Sequence, residues 1–193
     1  MALPKRKSEN RFTYGDYLNW PDEERWELID GIAYNMSPAP LRRHQKISME
    51  LGRQIANFLV DNPCDVYIAP FDVRLPEASE ENENIMTVVQ PDIVVICDHD
   101  KLDDAGCRGA PDLIIEILSP STTSKDMKIK LALYEKHGVK EYWIVHPVDN
   151  IILVFRLSKN KMYGKPEVYT AEDKIKTAIL DGLEIDLDTV FKE

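Results

Sequence analysis

Long apolar runs are missing from this chain of 193 residues: none approaches the roughly 20 residues that a membrane-spanning helix requires. Cysteine is scarce. Cys64, Cys97 and Cys107 are the three present and none stands in CxxC spacing, so neither a disulfide framework nor a cysteine zinc site is expected. A reducing cytoplasm is the simplest setting for such usage. The basic start MALPKRKSEN is followed by no apolar segment, which argues against a secretory signal. Basic charge is also in deficit, with 24 Lys and Arg against 34 Asp and Glu and a net charge of −10. That balance counts against nucleic-acid binding over the whole surface, because phosphate attraction rests on Lys and Arg. The deficit is uneven, however. Nine acidic side chains and only Lys101 lie between Glu77 and Asp104, whereas Arg42, Arg43 and Lys46 cluster, as do Lys125, Lys128 and Lys130. No GxSxG elbow, HExxH or P-loop is present, which lowers triad hydrolase, zinc protease and NTPase readings.

What is present suits an ordinary globular domain, at 44% hydrophobic and 30% charged residues. We expect one domain over residues 1–193, with 1–25 as an N-terminal extension. Thr13 and Asp16 form a capping-box pattern before a short helix Tyr14–Asn19. RWELIDGIAYNMS reads as a hairpin turning at Asp30-Gly31. Ile47, Leu51, Ile55, Phe58 and Leu59 recur at helical spacing and predict a helix from about Leu41 to Val60. Strand-like runs follow at Asp65–Leu75, Ile85–Cys97 and Leu113–Leu118, with Glu77–Asn84 as a solvated, mobile loop. A second helix over Lys125 to His137 closes at Gly138. EYWIVHPVDNIILVFRLS then predicts a hairpin with Pro147 to Asn150 at its tip. Together these elements indicate an α/β fold, a mixed β-sheet flanked by helices.

One residue does not belong in this pattern. Glu116 interrupts PDLIIEIL, and a lone carboxylate in an apolar strand costs several kcal/mol, by general estimates about that size, unless something compensates it. Asp112 shares its strand face, but four residues of strand put their Cα atoms roughly 13 Å apart, too far to hold one ion together. Asp92, in QPDIVVIC, is better placed. If the two strands pair, Asp92 and Glu116 lie about 5 Å apart on one face. A phosphodiester cleaver also needs a cation near this pair. The position two residues after Glu116 is Leu118, so the nearest lysines are on the following helix. There Met127, Leu131 and Tyr134 form the expected core face, with Lys130 at its edge and Lys128 on the other flank.

WELIDG, a His-bearing helix start, QPDIVV, PDLIIEILSPST, then Asp126, Lys130 and Tyr134, and finally HGVKEYWIVHP resemble the Uma-type family of "putative restriction endonucleases". That family belongs to the PD-(D/E)xK nuclease superfamily. The resemblance runs from about Glu27 to Pro147 and implies a restriction-endonuclease-like core, dependence on Mg²⁺ with Mn²⁺ as a substitute, and cleavage of DNA. It implies that Asp92, Glu116 and Glu27 are metal ligands, that Lys130 supplies the cation the superfamily carries two residues after the acid, and that His44 orients water or contacts phosphate. Leu118 is the departure from the superfamily pattern.

Each residue also has a plainer reading. For Glu116 it is a purely structural pairing with a buried lysine or with backbone donors, and for Asp92 after Pro91 a pairing with local N–H groups. Lys130 could be an i,i+4 partner of Asp126, Glu27 a strand-surface carboxylate, and His44 a capping residue. Tyr134 and Cys97 read most simply as core. The functional expectation is therefore a metal-dependent endonuclease acting on DNA, with a homodimer suited to cutting both strands. The alternative is a nuclease-fold protein that binds DNA or a protein partner without cutting. A phosphodiesterase acting on RNA or nucleotides is a weaker third.

Overall fold

A computed structural model describes residues 10–21, 24–36, 40–119 and 125–192. It is a mixed α/β structure, with two six-stranded sheets in place of the single one expected. The first sheet is built from β1 (Trp26–Ile29), β2 (Ile32–Asn35), β4 (Val73–Arg74), β5 (Val88–Val89), β7 (Leu102–Asp103) and β8 (Gly106–Arg108), in the order β2-β1-β5-β4-β8-β7. The second holds β3 (Asp65–Ile68), β6 (Ile93–Ile96), β9 (Leu113–Ile117), β10 (Glu141–His146), β11 (Ile151–Arg156) and β12 (Glu167–Thr170), in the order β12-β11-β10-β9-β6-β3. A small pair, β13 (Lys174–Lys176) and β14 (Glu184–Asp186), completes the strands. The helices are α1 (Tyr14–Tyr17), α2 (Arg42–Leu59), α3 (Leu131–His137) and α4 (Leu187–Phe191).

Proline explains why the long strand-like runs become two sheets. Asp65–Leu75 is interrupted at Pro70 and Ile85–Cys97 at Pro91, and a residue without an N–H cannot continue a ladder. At both breaks the chain passes from one sheet to the other. The local signals elsewhere act as their chemistry requires. Thr13 and Asp16 form both hydrogen bonds of a capping box. Asp30 and Gly31 both adopt positive φ, as a two-residue hairpin turn needs. Gly138 closes α3 in the left-handed conformation. The Glu77–Asn84 segment is more anchored than expected. Arg74 reaches Asn82 Oδ1 at 2.8 Å, Arg108 reaches the Glu80 carbonyl at 2.6 Å, and Lys136 pairs with Glu77 at 2.5 Å.

The second sheet is covered on both faces, which is why β9 reads as a nearly unbroken apolar run. One face (Ile93, Val95, Leu113, Ile115) packs under Ile47, Leu51 and Ile55 of α2. The other (Val94, Ile114, Tyr142, Ile144) meets Ile29, Val73 and Val89 of the first sheet together with Leu133 and Tyr134 of α3. On the far side of the first sheet, Leu28 and Val88 pack with Tyr14 of α1 and Trp26. Thus residues 10–21 are tied into the body of the protein, with Phe12 N–H bonded to the Gly31 carbonyl and Tyr14 N–H to that of Ile85.

Two further expectations are corrected. Cys64 and Cys97 form a disulfide, because β3 and β6 run antiparallel with Asp65 opposite Ile96 and bring the flanking cysteines face to face. This removes the cysteine-based argument for a reducing compartment. Secondly, Lys125–Lys130 is π-helical before α3 begins. The wider turn shifts the helical phase. Met127, expected in the core, is 37% exposed, while Lys130 is 2% exposed.

Where β8 begins, Gly106 combines φ +118° with a close approach to β4. A Cβ there would lie 2.3 Å from the Asp72 carbonyl oxygen, which accepts the Cys107 N–H. We expect Gly106→Ala to lower stability by roughly 2–4 kcal/mol, read as a shift in the urea midpoint. An unchanged midpoint would contradict this packing.

Candidate active site

The strand periodicity aims two carboxylates into the layer between the sheets. Glu27 shares the face of β1 that carries Ile29, and Glu116 shares the face of β9 that carries Ile114. The π-helical turn brings Lys130 between them. Its Nζ lies 2.7 Å from Glu27 Oε1 and 2.7 Å from Glu116 Oε1, and all three side chains are buried. Each carboxylate oxygen has a further donor. The Tyr134 hydroxyl donates to Glu116 Oε1 at 2.9 Å, and the Gln90 backbone N–H donates to Glu27 Oε1 at 3.0 Å.

Asp92 and His44 form an adjoining pair. The register Ile93 opposite Ile115 places Asp92 opposite Glu116 one step further on. Asp92 Oδ2 accepts the Ile117 N–H at 2.7 Å and lies 3.3 Å from His44 Nε2. His44 precedes Ile47 and Ser48 on α2 by three and four residues, so it belongs to the helix's buried face. The five sequence-predicted residues therefore gather as two groups joined at the Glu116–Ile117 peptide. One is Glu27, Glu116 and Lys130; the other is Asp92 and His44.

The other Pro-Asp pair is different. Asp112 Oδ2 accepts the Cys97 N–H at 2.8 Å and Oδ1 meets Lys140 Nζ at 2.6 Å, so it fastens the opposite ends of β6 and β9. Leu118 is packed in the apolar layer and gives its N–H to the Val145 carbonyl at 2.9 Å. Lys128 is exposed. The side chains of Lys125 and Asp126 lie outside the described residues. Two surface cavities lie away from the carboxylates: one of about 420 Å³ against Lys136, His137 and Lys161, another of about 350 Å³ against Tyr67, Phe71 and Asp104.

Among the described residues, no three His, Cys, Asp or Glu side chains stand together at metal-ligand spacing. The donor set still suits a hard divalent cation, being made of carboxylate oxygens with no thiolate. Glu27 and Glu116 already converge on one cationic point, the Lys130 ammonium. Among the described residues, Asp92 adds a third carboxylate beside this pair, facing His44 rather than the ammonium.

Two contributors escaped the sequence pattern. Tyr134 is core, as expected, but its hydroxyl also serves Glu116; the four-residue step from Lys130 was the available sign. Gln90 acts through its main chain, which side-chain chemistry cannot announce.

Removing one partner of a buried ion pair strands the other in low dielectric. Lys130→Met should therefore cost about 3–5 kcal/mol of stability, whereas Lys128→Met, two residues away and exposed, should stay within about 0.5 kcal/mol. Denaturant titration of the two variants checks this; equal losses would deny Lys130 its buried role.

The comparisons with known proteins come to the same fold and family. The family Uma2, described as "Putative restriction endonuclease", matches residues 14–188. The uncharacterized protein slr1290 of Synechocystis sp. is 30% identical over 180 residues, covering 92% of this chain and 90% of that protein. A crystal structure of a putative nuclease belonging to DUF820 from Anabaena variabilis superposes with a TM-score of 0.73 at 19% identity, over 93% of this chain and 97% of that one. With nearly its whole length matched, from α1 to α4, this chain belongs to the Uma2 family of "putative restriction endonucleases".

Proposed function

We propose that this protein is a metal-dependent phosphodiester hydrolase, most simply an endonuclease acting on DNA. The observation that carries this reading is the convergence of Glu27 and Glu116, from two different sheets, on the buried Lys130, with Asp92 and His44 alongside. Membership of the family supports it. Asp92, Glu116 and Glu27 are the residues that would hold Mg²⁺ or Mn²⁺. Such an ion, when bound, lowers the pKa of a coordinated water and offsets charge on the phosphate. Asp92 steadies His44 for orienting that water or touching a phosphate oxygen. Lys130 is a fixed positive charge beside the carboxylates, suited to neutralising the charge that builds on phosphorus-bound oxygen. Tyr134 and the Gln90 N–H keep Glu116 and Glu27 aimed at the centre. A homodimer would bring two such centres to the two strands of a duplex.

A second reading is a nuclease-fold protein that binds DNA or a protein partner without cutting. What favours it is Lys130 itself, already engaged with two carboxylates, together with Leu118 at the in-strand position and the net charge of −10.

Nicking of plasmid DNA separates the two. We expect cleavage with Mg²⁺ or Mn²⁺, none in EDTA, and a loss on the order of 10²-fold or more in Glu116→Gln and Asp92→Asn. Equal nicking by wild type and both variants would remove the proposed site. Binding of DNA with no uptake of Mn²⁺ by calorimetry would favour the second reading.

A further inference from the structure

Gln90 lies where β5 has ended and β6 has not begun, and the three residues 90–92 have left both ladders. From this short bend come the N–H that holds Glu27 and the carboxylate of Asp92. Pro91 has no N–H with which to fix it. The Gln90 side chain supplies what the ladders do not. Its Oε1 accepts from Arg25 Nε at 3.1 Å and Arg25 Nη2 at 2.5 Å. Its Nε2 donates to Asp72 Oδ1 at 2.8 Å and to the Tyr17 hydroxyl at 3.1 Å. The amide is thus clamped at both ends, by the segment before β1 on one side and by α1 and the turn before β4 on the other.

We propose that Gln90 is a positioning residue for the carboxylate centre: its clamped amide fixes the β5–β6 bend, and the bend in turn fixes Glu27 and Asp92. This rests on the metal-dependent reading of the centre. The required chemistry is specific. One end of the side chain must accept from a guanidinium while the other donates to a carboxylate, and an amide does both. Tyr17 hydroxyl also contacts Asp72, at 3.3 Å, so Asp72 is the acceptor on which this side of the clamp converges. Burial pushes the Asp72 carboxyl up from its ordinary value, with the Gln90 and Tyr17 hydrogen bonds opposing that rise. Outer residues that orient metal ligands typically contribute 10–100-fold to metal affinity.

The clamp predicts a rescue. Gln90→Glu keeps the acceptor facing Arg25 but sets a second carboxylate against Asp72. Asp72→Asn added to it restores a donor–acceptor pair with the direction reversed. The probe is Mn²⁺ alone, titrated by calorimetry well below each variant's melting temperature. Gln90→Glu should weaken Mn²⁺ binding by about tenfold or more. Asp72→Asn alone, which leaves an acceptor for the Gln90 Nε2, should bind within about threefold of wild type, and the double variant should return to that range; threefold is about 0.7 kcal/mol by the tenfold-per-1.4 kcal/mol rule. Wild-type affinity in Gln90→Glu, or a loss that Asp72→Asn does not restore, overturns the inference while leaving the metal centre standing. Absence of Mn²⁺ binding in the wild type overturns both.

Discussion

The charged groups buried between the two sheets depend on a single ammonium group. Glu27 and Glu116 arise on separate layers and would repel one another across an apolar gap. Lys130, 2.7 Å from each, turns that repulsion into attraction and ties the first sheet, the second sheet and the helical crossover to one point. Burying ions costs several kcal/mol each in a real protein, about what a good ion pair recovers only with perfect geometry and extra hydrogen bonds. The extra bonds from Tyr134 and Gln90 meet that condition. Such an arrangement is a poor way to gain stability, since apolar side chains of similar volume would serve at least as well. Its presence in the middle of the fold is accounted for by the proposed function rather than by stability.

The position of the lysine matters as much as its presence. A lysine at residue 118 would share the strand face of Glu116 and stand about 7 Å along the sheet. Leu118 fills that place and joins the apolar layer. Lys130 approaches instead from the crossover between β9 and β10, above the sheet, and so reaches the carboxylate of the opposite layer as well. The π-helical turn makes this possible. An α-helix phased on Met127 and Tyr134 would leave the lysine at the rim, whereas the wider turn rotates it inward and Met127 outward.

This also marks what could be read from the residues alone. Glu116 stood out because a charge in an apolar strand must be answered, and its strand partner Asp92 followed from period-two geometry. Hairpins at Asp30-Gly31 and Pro147–Asn150 and the long helix α2 were legible because local chemistry settles them. The division into two sheets was not, because Pro70 and Pro91 show a break in a strand without showing where the chain goes next. The Cys64–Cys97 disulfide was hidden for a related reason: it follows from the β3–β6 register, which is tertiary information. The π turn was hidden because helical periodicity assumes the wrong residue count per turn.

The same residues consequently serve stability and the proposed chemistry, and the two demands oppose each other. Two carboxylates around one ammonium, with Asp92 adjoining them beside His44, gather acidic groups in a place that desolvation makes expensive. A sequence selected for stability alone would neutralise one of them. Retaining all three, and committing Gln90, Tyr17, Asp72 and Arg25 to the bend that carries the Glu27 anchor and Asp92 itself, keeps these carboxylates fixed in place. On the proposed metal-dependent reading, that orientation is what a divalent cation would require of its ligands, because the carboxylates are held before any ion arrives.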